Sequence, residues 1–446
     1  MKIKNIILGA MFAGFAASAS AQTTDITITG ATAFRTATLQ AIYDAYDSVG
    51  NLGTDFFVCH SSSGNTTSNL TGSNQAVFKG KFPGITGTTY IRTAFNGSTE
   101  GLNAIAGNNN PSFLTQDAVT GATSSILGGV TTPTETLRPK FSFSDVYQST
   151  SPVDNVVLNP VGSSAVGIVT FCMIANEGAP ADLTNVTIQQ ARTLWTNGIQ
   201  RLSLFTGDPT DTSFVFATGR NDGSGTRAAY LTEWSFGVAN LVNQYIATST
   251  GATGTITKIT AVPADGLGTG NFTTSGVANA STLWGNTNVG NGGYSSSSSL
   301  RTLMGLTSAN VTVYDGQSQT PVLQNQPIQL ITWLSSADSL VAATAGAKIL
   351  SYNGVLVTPI TSVGSYLSSG FNEADFKKIA TGAYSPWSYQ HLYFHGTLSA
   401  NEQSWYDAMK TTWIPSGLQT TSNGVRLGDV TVSRPDDGFP IVAPLN

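Results

Sequence analysis

One segment, residues 214–234, limits the possible folds most strongly, because a strand pattern, a loop and a helix pattern follow one another in it without a spacer. Phe214 and Phe216 alternate with other side chains, as in a strand with one face buried. A loop of glycine, hydroxyl and charged residues comes next, and Ala228 and Leu231 then begin a helical spacing. A strand that leads directly into a helix predicts an α/β protein, in which helices cover a sheet.

The same order of elements recurs elsewhere in the chain. An alternating run at 25–30 precedes a helix pattern, and a second run at 90–95 precedes another hydroxyl-rich helix start at Ser98. A third run begins at Phe141 and ends at a serine and an aspartate. Ligands of open α/β sheets bind beyond the carboxyl ends of strands, so these loops predict one shared site.

The loop after residue 217 has the composition of an anion site. Its small residues leave backbone N–H groups unpaired at the start of a helix, where the helix dipole is positive, and Arg220 adds a full charge. A plain surface turn is the alternative, because the chain contains 47 glycines. Arg35 and Arg227 stand beside such loops, where solvated or ion-paired surface positions are at least as well supported as ligand contacts.

The first 21 residues have the order of a secretory leader. Lys2 and Lys4 precede an apolar stretch, and small residues up to Ala21 form a cleavage pattern before Gln22. We therefore expect export, with a periplasmic location first and an extracellular one second. Because Gln22 is not a cysteine, a lipid anchor at the mature N-terminus is not expected.

The length and net charge of the chain restrict its domain organisation and its class of ligand. Removing 21 residues from 446 leaves about 425, which is more than one core usually supports, so two lobes are expected. We predict a first lobe at 22–158, with loops or small insertions at 48–88 and 103–138, a second lobe at 159–387, and a return to the first lobe at 388–446. A net charge of −5 with only 10% charged residues argues against nucleic-acid binding.

Cysteine and histidine give weaker signals. Cys59 and Cys172 could form a disulfide in an oxidising compartment, but the apolar run around Cys172 favours a buried free thiol. His391 and His395 have the spacing of metal ligands on a helix, although the aromatic residues around them indicate an extended segment. Neither a metal nor a cofactor is expected.

Four segments resemble the phosphate-binding proteins of ABC uptake systems, the PstS-type periplasmic solute-binding proteins. Residues 220–226, Arg-Asn-Asp-Gly-Ser-Gly-Thr, resemble the family's Arg-x-Asp-Gly-Ser-Gly-Thr phosphate loop. Residues 28–34 and 95–101 are similar to its first and second phosphate loops, and 143–145 resembles the Ser-Asp pair whose aspartate accepts the phosphate proton. Ala33 departs from the hydroxyl pattern of the first loop.

This resemblance implies a fold, a ligand and a partner. The fold would be a two-lobed α/β periplasmic-binding-protein type II fold, with two mixed sheets flanked by helices and joined by hinge crossovers. The ligand would be inorganic phosphate, delivered by a monomeric protein to an ABC permease in the inner membrane, with Asp222 orienting Arg220. The implied ligand contacts are Thr32, Ala33, Phe34, Ser98, Ser144, Asp145, Arg220, Ser224, Gly225 and Thr226.

Other functions compete with phosphate transport. One is the binding of a different oxyanion for sensing, and another is a secreted surface or adhesive protein without a small-anion site. A hydrolase would need Ser224 beside a base, and the sequence contains no hydrolase elbow motif, no His-Glu-x-x-His motif and no Walker loop. We therefore expect a protein that is not an enzyme.

Overall fold

The computed structural model describes most of the mature chain. It covers residues 23–443 except 124, 152, 154–157, 160–163, 222, 239, 241, 250–253, 262–291, 295, 317–319, 361–369 and 422–423. The predicted leader at 1–21 and Asp222 lie outside the described residues.

Strands and helices alternate along the described residues. Strands β1 to β18 are Thr23–Gly30, Phe56–His60, Gln75–Gly80, Thr88–Phe95, Ser112–Leu114, Thr134–Thr136, Phe141–Ser144, Ala165–Ala175, Asn185–Val186, Ile199–Arg201, Phe214–Ala217, Tyr245–Ser249, Ile256–Ala261, Ser308–Tyr314, Pro321–Gln326, Ile328–Ser335, Lys348–Tyr352 and Trp387–Phe394. Helices α1 to α11 are Arg35–Asp47, Thr67–Thr71, Ser98–Ala106, Ile188–Asn197, Ser203–Thr206, Gly225–Glu233, Ser297–Met304, Ser336–Thr344, Glu373–Ala380, Ala400–Ala408 and Ile414–Thr420. None of the described helices has the length and apolar character that a membrane crossing requires.

One large mixed sheet organises the molecule. Its strand order is β10-β11-β16-β8-β18-β7-β1-β4-β3-β2, and β17 adds to β8. Strand β8 belongs to two halves: residues 165–170 pair with β18, whereas residues 171–175 pair with β16. We call the strands from β18 to β2 the first half and the strands from β16 to β10 the second half. The predicted α/β class, with mixed sheets flanked by helices and joined by crossing strands, is confirmed.

Each half has its own apolar core. In the first half, α1 packs Leu39, Ile42 and Tyr46 against the sheet, and Tyr46 donates a hydrogen bond to the Thr89 carbonyl at 2.9 Å. In the second half, aromatic rings from α4, α6 and β16 pack together, with the Trp195 and Trp234 ring centres 4.6 Å apart. The presence of a large apolar core in each half agrees with the expectation of two lobes for a chain of this length. The lobe boundaries themselves remain a prediction.

The loops predicted at 48–88 and 103–138 contain regular structure. Within 48–88, strands β2 and β3 pair with each other, and β3 pairs with β4, so they extend the main sheet. Within 103–138, β5 pairs with β6, and a 3-10 helix spans Gln116–Gly121. The loop prediction is wrong for these strands, because each is short and its flanking polar residues hide the alternation.

Both cysteines are free and buried. Burial raises the pKa of each thiol to about 12. The free-thiol prediction for Cys172 is therefore confirmed, and the disulfide alternative is wrong.

Candidate functional site

The loops of the first half meet at one edge of the sheet because their strands are parallel. Strand β1 pairs in parallel with both β4 and β7, and Gly30 lies opposite Phe95 and Phe143 in the register. The carboxyl ends of these strands therefore coincide. The structure places the segment 32–34, Ser98 and Asp145 at this edge.

The turn before α3 brings the first half against the second. Gly97 has a φ of 121°, which a residue with a side chain rarely adopts. A Cβ atom added to Gly97 would lie 2.5 Å from the Gly223 carbonyl oxygen, so only glycine permits this approach. The backbone N–H of Glu100 donates to the same carbonyl at 3.3 Å. The start of α3 and the loop before α6 are therefore in direct contact.

Asp145 lies at the centre of this contact. The Ser98 hydroxyl donates a hydrogen bond to Asp145 Oδ1, and the Asp145 N–H donates to Ser98 Oγ at 3.3 Å. Gly225, the first residue of α6, packs directly on this pair, because a Cβ added there would lie 2.5 Å from Ser98 Oγ and closer still to Asp145 Oδ1. Strand β18 adds a further contact, since the Ser388 hydroxyl donates to the Asp145 carbonyl at 2.6 Å.

Burial decides the electrostatics of Asp145. The residue is 1% exposed, and loss of solvation raises the pKa of its carboxyl above the ordinary value. The Ser98 hydrogen bond and the positive charge of Arg220 act in the opposite direction without cancelling the effect of burial. A ligand that donates a hydrogen bond to this carboxyl would therefore bind favourably.

Arg220 is held by the second half. Its Nε donates to the Tyr294 carbonyl at 3.0 Å, and its Nη1 donates to Ser297 Oγ at the start of α7. Burial lowers the pKa of the guanidinium, while the negative charges of Asp338 and Asp145 raise it. The predicted orientation of Arg220 by Asp222 lies outside the described residues.

Two further side chains support the Arg220 loop. Arg227 is 3% exposed, and its Nη1 donates to the Arg220 carbonyl at 3.4 Å. The surface alternative for Arg227 is therefore wrong. Gln244 Nε2 donates to the same carbonyl at 3.3 Å, while its Oε1 accepts from Trp195 and Tyr230. Gln244, Tyr294 and Ser297 were missed by sequence reasoning, because nothing local marks residues so distant along the chain.

Several predicted ligand residues serve other contacts. The Ser144 hydroxyl donates to the Val146 carbonyl at 2.8 Å, within its own turn. Ala33 and Phe34 are buried in the cores, and the ring centres of Phe34 and Phe143 are 6.0 Å apart. Thr32 instead lines a polar cavity of about 230 Å³.

The start of α6 supplies the remaining predicted contacts. Ser224 is the N-cap residue, and the helix begins at Gly225 and Thr226. The first N–H groups of a helix have no acceptor within it. Both Ser224 and Thr226 are 2% exposed, so these donors face the protein interior.

The histidine pair does not lie on a helix. His391 is in β18 and hydrogen-bonds through Nδ1 with Ser164 Oγ at 2.9 Å, and burial lowers its pKa to about 3. A search of the described residues found no group of three or more histidine, cysteine, aspartate or glutamate side chains that could hold a metal ion.

Comparison with known proteins gave only distant structural matches. No family model matches the chain, and no curated protein matches it. A putative phosphate ABC transporter substrate-binding protein with bound phosphate from Clostridium perfringens is 11% identical with a TM-score of 0.42, covering 91% of this chain and 100% of that chain. An ABC-type phosphate transport receptor from Vibrio cholerae is 11% identical with a TM-score of 0.40, covering 90% and 99%. PstS from Borrelia burgdorferi is 10% identical with a TM-score of 0.34, covering 88% and 97%. Similarity this low carries no argument about the ligand.

Proposed function

We propose that this protein binds inorganic phosphate between its two halves, outside the cytoplasm, and delivers it to an ABC-type permease. The observation that carries the proposal is the environment of Asp145. Its buried carboxyl accepts from Ser98, packs against the start of α6 and lies within the field of Arg220. Hydroxyl groups, a helix N-terminus and a guanidinium together match the donors that a phosphate oxygen requires.

Asp145 would give selectivity for phosphate over sulfate. Near neutral pH phosphate retains at least one proton, which can donate to the carboxylate, whereas sulfate has none. An unpaired buried carboxylate facing sulfate oxygens would cost several kcal/mol, equivalent to about a thousandfold in affinity. Burial raises the pKa of Asp145, which makes the ionised carboxyl a stronger acceptor for the phosphate proton.

Binding would exchange existing contacts for new ones. At present the Ser98 hydroxyl satisfies Asp145, and Gly225 closes over both. A phosphate inserted here would accept from Ser98 and from the N–H groups of Gly225 and Thr226, while donating its own proton to Asp145. Because Gly225 leaves no room beside Asp145, the start of α6 must withdraw before the ion can enter. We assign this motion to the strands that cross between the halves, β8 and β18.

We assign the protein a transport role and no catalytic one. The leader pattern at 1–21 supports a location in the periplasm. The mature chain would act there as a monomer and without a cofactor. A sensing role or a surface role predicts a different ligand profile, so the identity of the bound ion tests all of these proposals.

The decisive experiment measures phosphate and sulfate affinity by calorimetry on the mature chain and on Asp145→Asn. We expect phosphate to bind wild type about a thousandfold more tightly than sulfate, and the asparagine to reduce this ratio to less than about tenfold. Asp375→Asn is the matched control, because Asp375 is also buried but its carboxylate accepts from the Thr358 N–H and the Lys378 ammonium instead. It should leave the ratio unchanged. A ratio that Asp145→Asn does not alter would contradict the proposed role of Asp145.

Arg220→Gln tests the charge at the site. We expect phosphate affinity to fall at least a hundredfold, because a buried positive charge beside the ion is lost. Arg92→Gln is the control for removing a buried arginine, since Arg92 pairs with Asp25 and Glu135 in the first half. A thermal-shift screen with phosphate, sulfate, molybdate and simple sugars would reveal any other ligand, because a ligand that binds only the folded form raises the melting temperature.

A further inference from the structure

A polar cavity lies between the two halves, beside the proposed phosphate site. Its volume is about 230 Å³, compared with about 30 Å³ for each water molecule in the liquid. Thr32, Arg35 and Asn74 line it from the first half, and Ser297, Arg301 and Asp338 line it from the second. It is large enough for one tetrahedral ion together with several water molecules.

Arg35 contributes an unsatisfied donor to this region. The residue begins α1, and its Nη1 donates to Asn74 Oδ1. Its Nε is buried and has no hydrogen-bond partner among the described residues. Burial is the main cause that lowers the pKa of this guanidinium to about 10, against the charge of Asp338, which raises the pKa, and together with that of Arg301, which lowers it. Because burial disfavours the charged form of this guanidinium, an anion in the cavity would offset that cost.

The second half adds one guanidinium and one carboxylate to the cavity lining. Arg301 Nη1 pairs with Asp338 Oδ1 at 2.8 Å. The other carboxylate oxygen, Oδ2, accepts from the Ser335 hydroxyl at 3.0 Å. Among the described residues that line the cavity, Asp338 is the one carboxylate, and both of its oxygens are thus engaged, whereas two guanidinium groups belong to the lining. The cavity therefore carries an excess of positive charge.

Helix α7 strengthens this field. Its N-terminal residues, Ser296, Ser297 and Ser298, line the cavity, where the helix dipole is positive. Ser297 Oγ accepts from Arg220, and a hydroxyl that accepts one bond still has its own proton to donate. Ser297 therefore joins the cavity to the Arg220 loop.

We propose that this cavity is a second oxyanion site, separate from the one at Asp145, which binds a fully ionised oxyanion such as sulfate between Arg35 and Arg301. A bound anion would screen the repulsion between two guanidinium groups that belong to different halves. It would also accept from the Ser297 hydroxyl. The carboxylate in this cavity, Asp338, is paired with Arg301 and Ser335, so its charge is offset, whereas that of Asp145 faces the ligand.

The test is calorimetry with sulfate in a phosphate-free buffer of low ionic strength, using the mature chain. We expect one sulfate per chain. Arg35→Gln and Arg301→Gln should each weaken its binding at least tenfold, while Asp145→Asn should not. Arg201→Gln is the control for the lost charge, because Arg201 is exposed on strand β10. It should change sulfate affinity by less than twofold.

A competition experiment separates the two sites. One molar equivalent of phosphate should fill the Asp145 site and leave sulfate affinity within twofold of its original value. Sulfate binding that one equivalent of phosphate abolishes would overturn the second site, as would an absence of sulfate binding or an affinity that Arg35→Gln leaves unaltered. If sulfate binds with the expected arginine dependence and phosphate does not bind, the second site stands and the proposed phosphate function fails.

Discussion

Replacing Gly225 by alanine tests whether the two halves meet as the structure has them. A methyl group at this position would lie 2.5 Å from Ser98 Oγ and 2.6 Å from Ser98 Cβ, and closer still to Asp145 Oδ1. Ordinary contacts begin near 3.4 Å, so Ser98 must move by about 1 Å and Asp145 by more. Such a shift breaks the hydrogen bond between Ser98 and Asp145.

The magnitude follows from three contributions. Forcing extra volume into a packed contact costs about 1–3 kcal/mol. Losing the hydrogen bond to a buried carboxyl costs about 1.5–3 kcal/mol. Alanine recovers at most about 1 kcal/mol through its helix propensity, and less in a first turn. We therefore expect Gly225→Ala to lower the free energy of unfolding by about 1.5–6 kcal/mol, and to weaken phosphate binding at least tenfold.

Urea denaturation followed by tryptophan fluorescence measures the stability change. Gly428→Ala is the matched control, because a Cβ added there meets no atom within 4 Å and its φ is not positive. It should change the free energy of unfolding by less than about 0.5 kcal/mol. Adding Ser98→Gly to Gly225→Ala should recover part of the loss, because it removes two of the clashing atoms. If Gly225→Ala behaved like the control in both stability and phosphate affinity, the contact at Asp145 would be wrong.

Three further predictions concern buried groups elsewhere. Burial raises the pKa of Asp437 from 3.8 to about 7, so the folded state binds the proton more tightly and this group makes the protein less stable as pH rises through that range. Asp437→Asn should therefore remove about 2–3 kcal/mol of the stability difference between pH 5 and pH 8, measured by urea denaturation. The thiols of Cys59 and Cys172, whose pKa values are raised to about 12, should not react with Ellman's reagent at pH 8 until guanidinium unfolds the protein. Arg92→Gln should cost about 1–3 kcal/mol in urea denaturation, because Arg92 is buried while Asp25 is partly exposed, and should leave phosphate affinity unchanged.

The meeting of three loops at one edge could be predicted because it depends on strand direction alone. Parallel β1, β4 and β7 end together, so whatever follows them in the sequence lies at the same edge. Helix ends could also be predicted where the capping residues are close together in the sequence. Thr187 and Gln190 have the residue types and spacing of a capping box and form one, and Gly198 ends helix α4 in the left-handed conformation.

Contacts between distant segments could not be predicted in this way. Tyr294 supports Arg220 from 74 positions away, and Gln244 from 24 positions away. Ser144 has the right residue type for a ligand, but its hydroxyl turns back to its own loop. The direction of a side chain in a turn depends on backbone angles, which no periodicity reveals.

The two charges of the proposed site are each anchored within one half, and this arrangement affects how the site can open. Asp145 accepts from Ser98 of the first half, whereas Arg220 donates to Tyr294 and Ser297 of the second. Separation of the halves would therefore break neither set of hydrogen bonds. Because an unpaired buried charge costs several kcal/mol, a site that relied on a direct bond between these charges would resist opening. Here each charge keeps its own hydrogen-bond partners when the halves separate. A phosphate therefore replaces only the contacts made by α6. Its binding energy can then be used for selectivity instead of for opening the site.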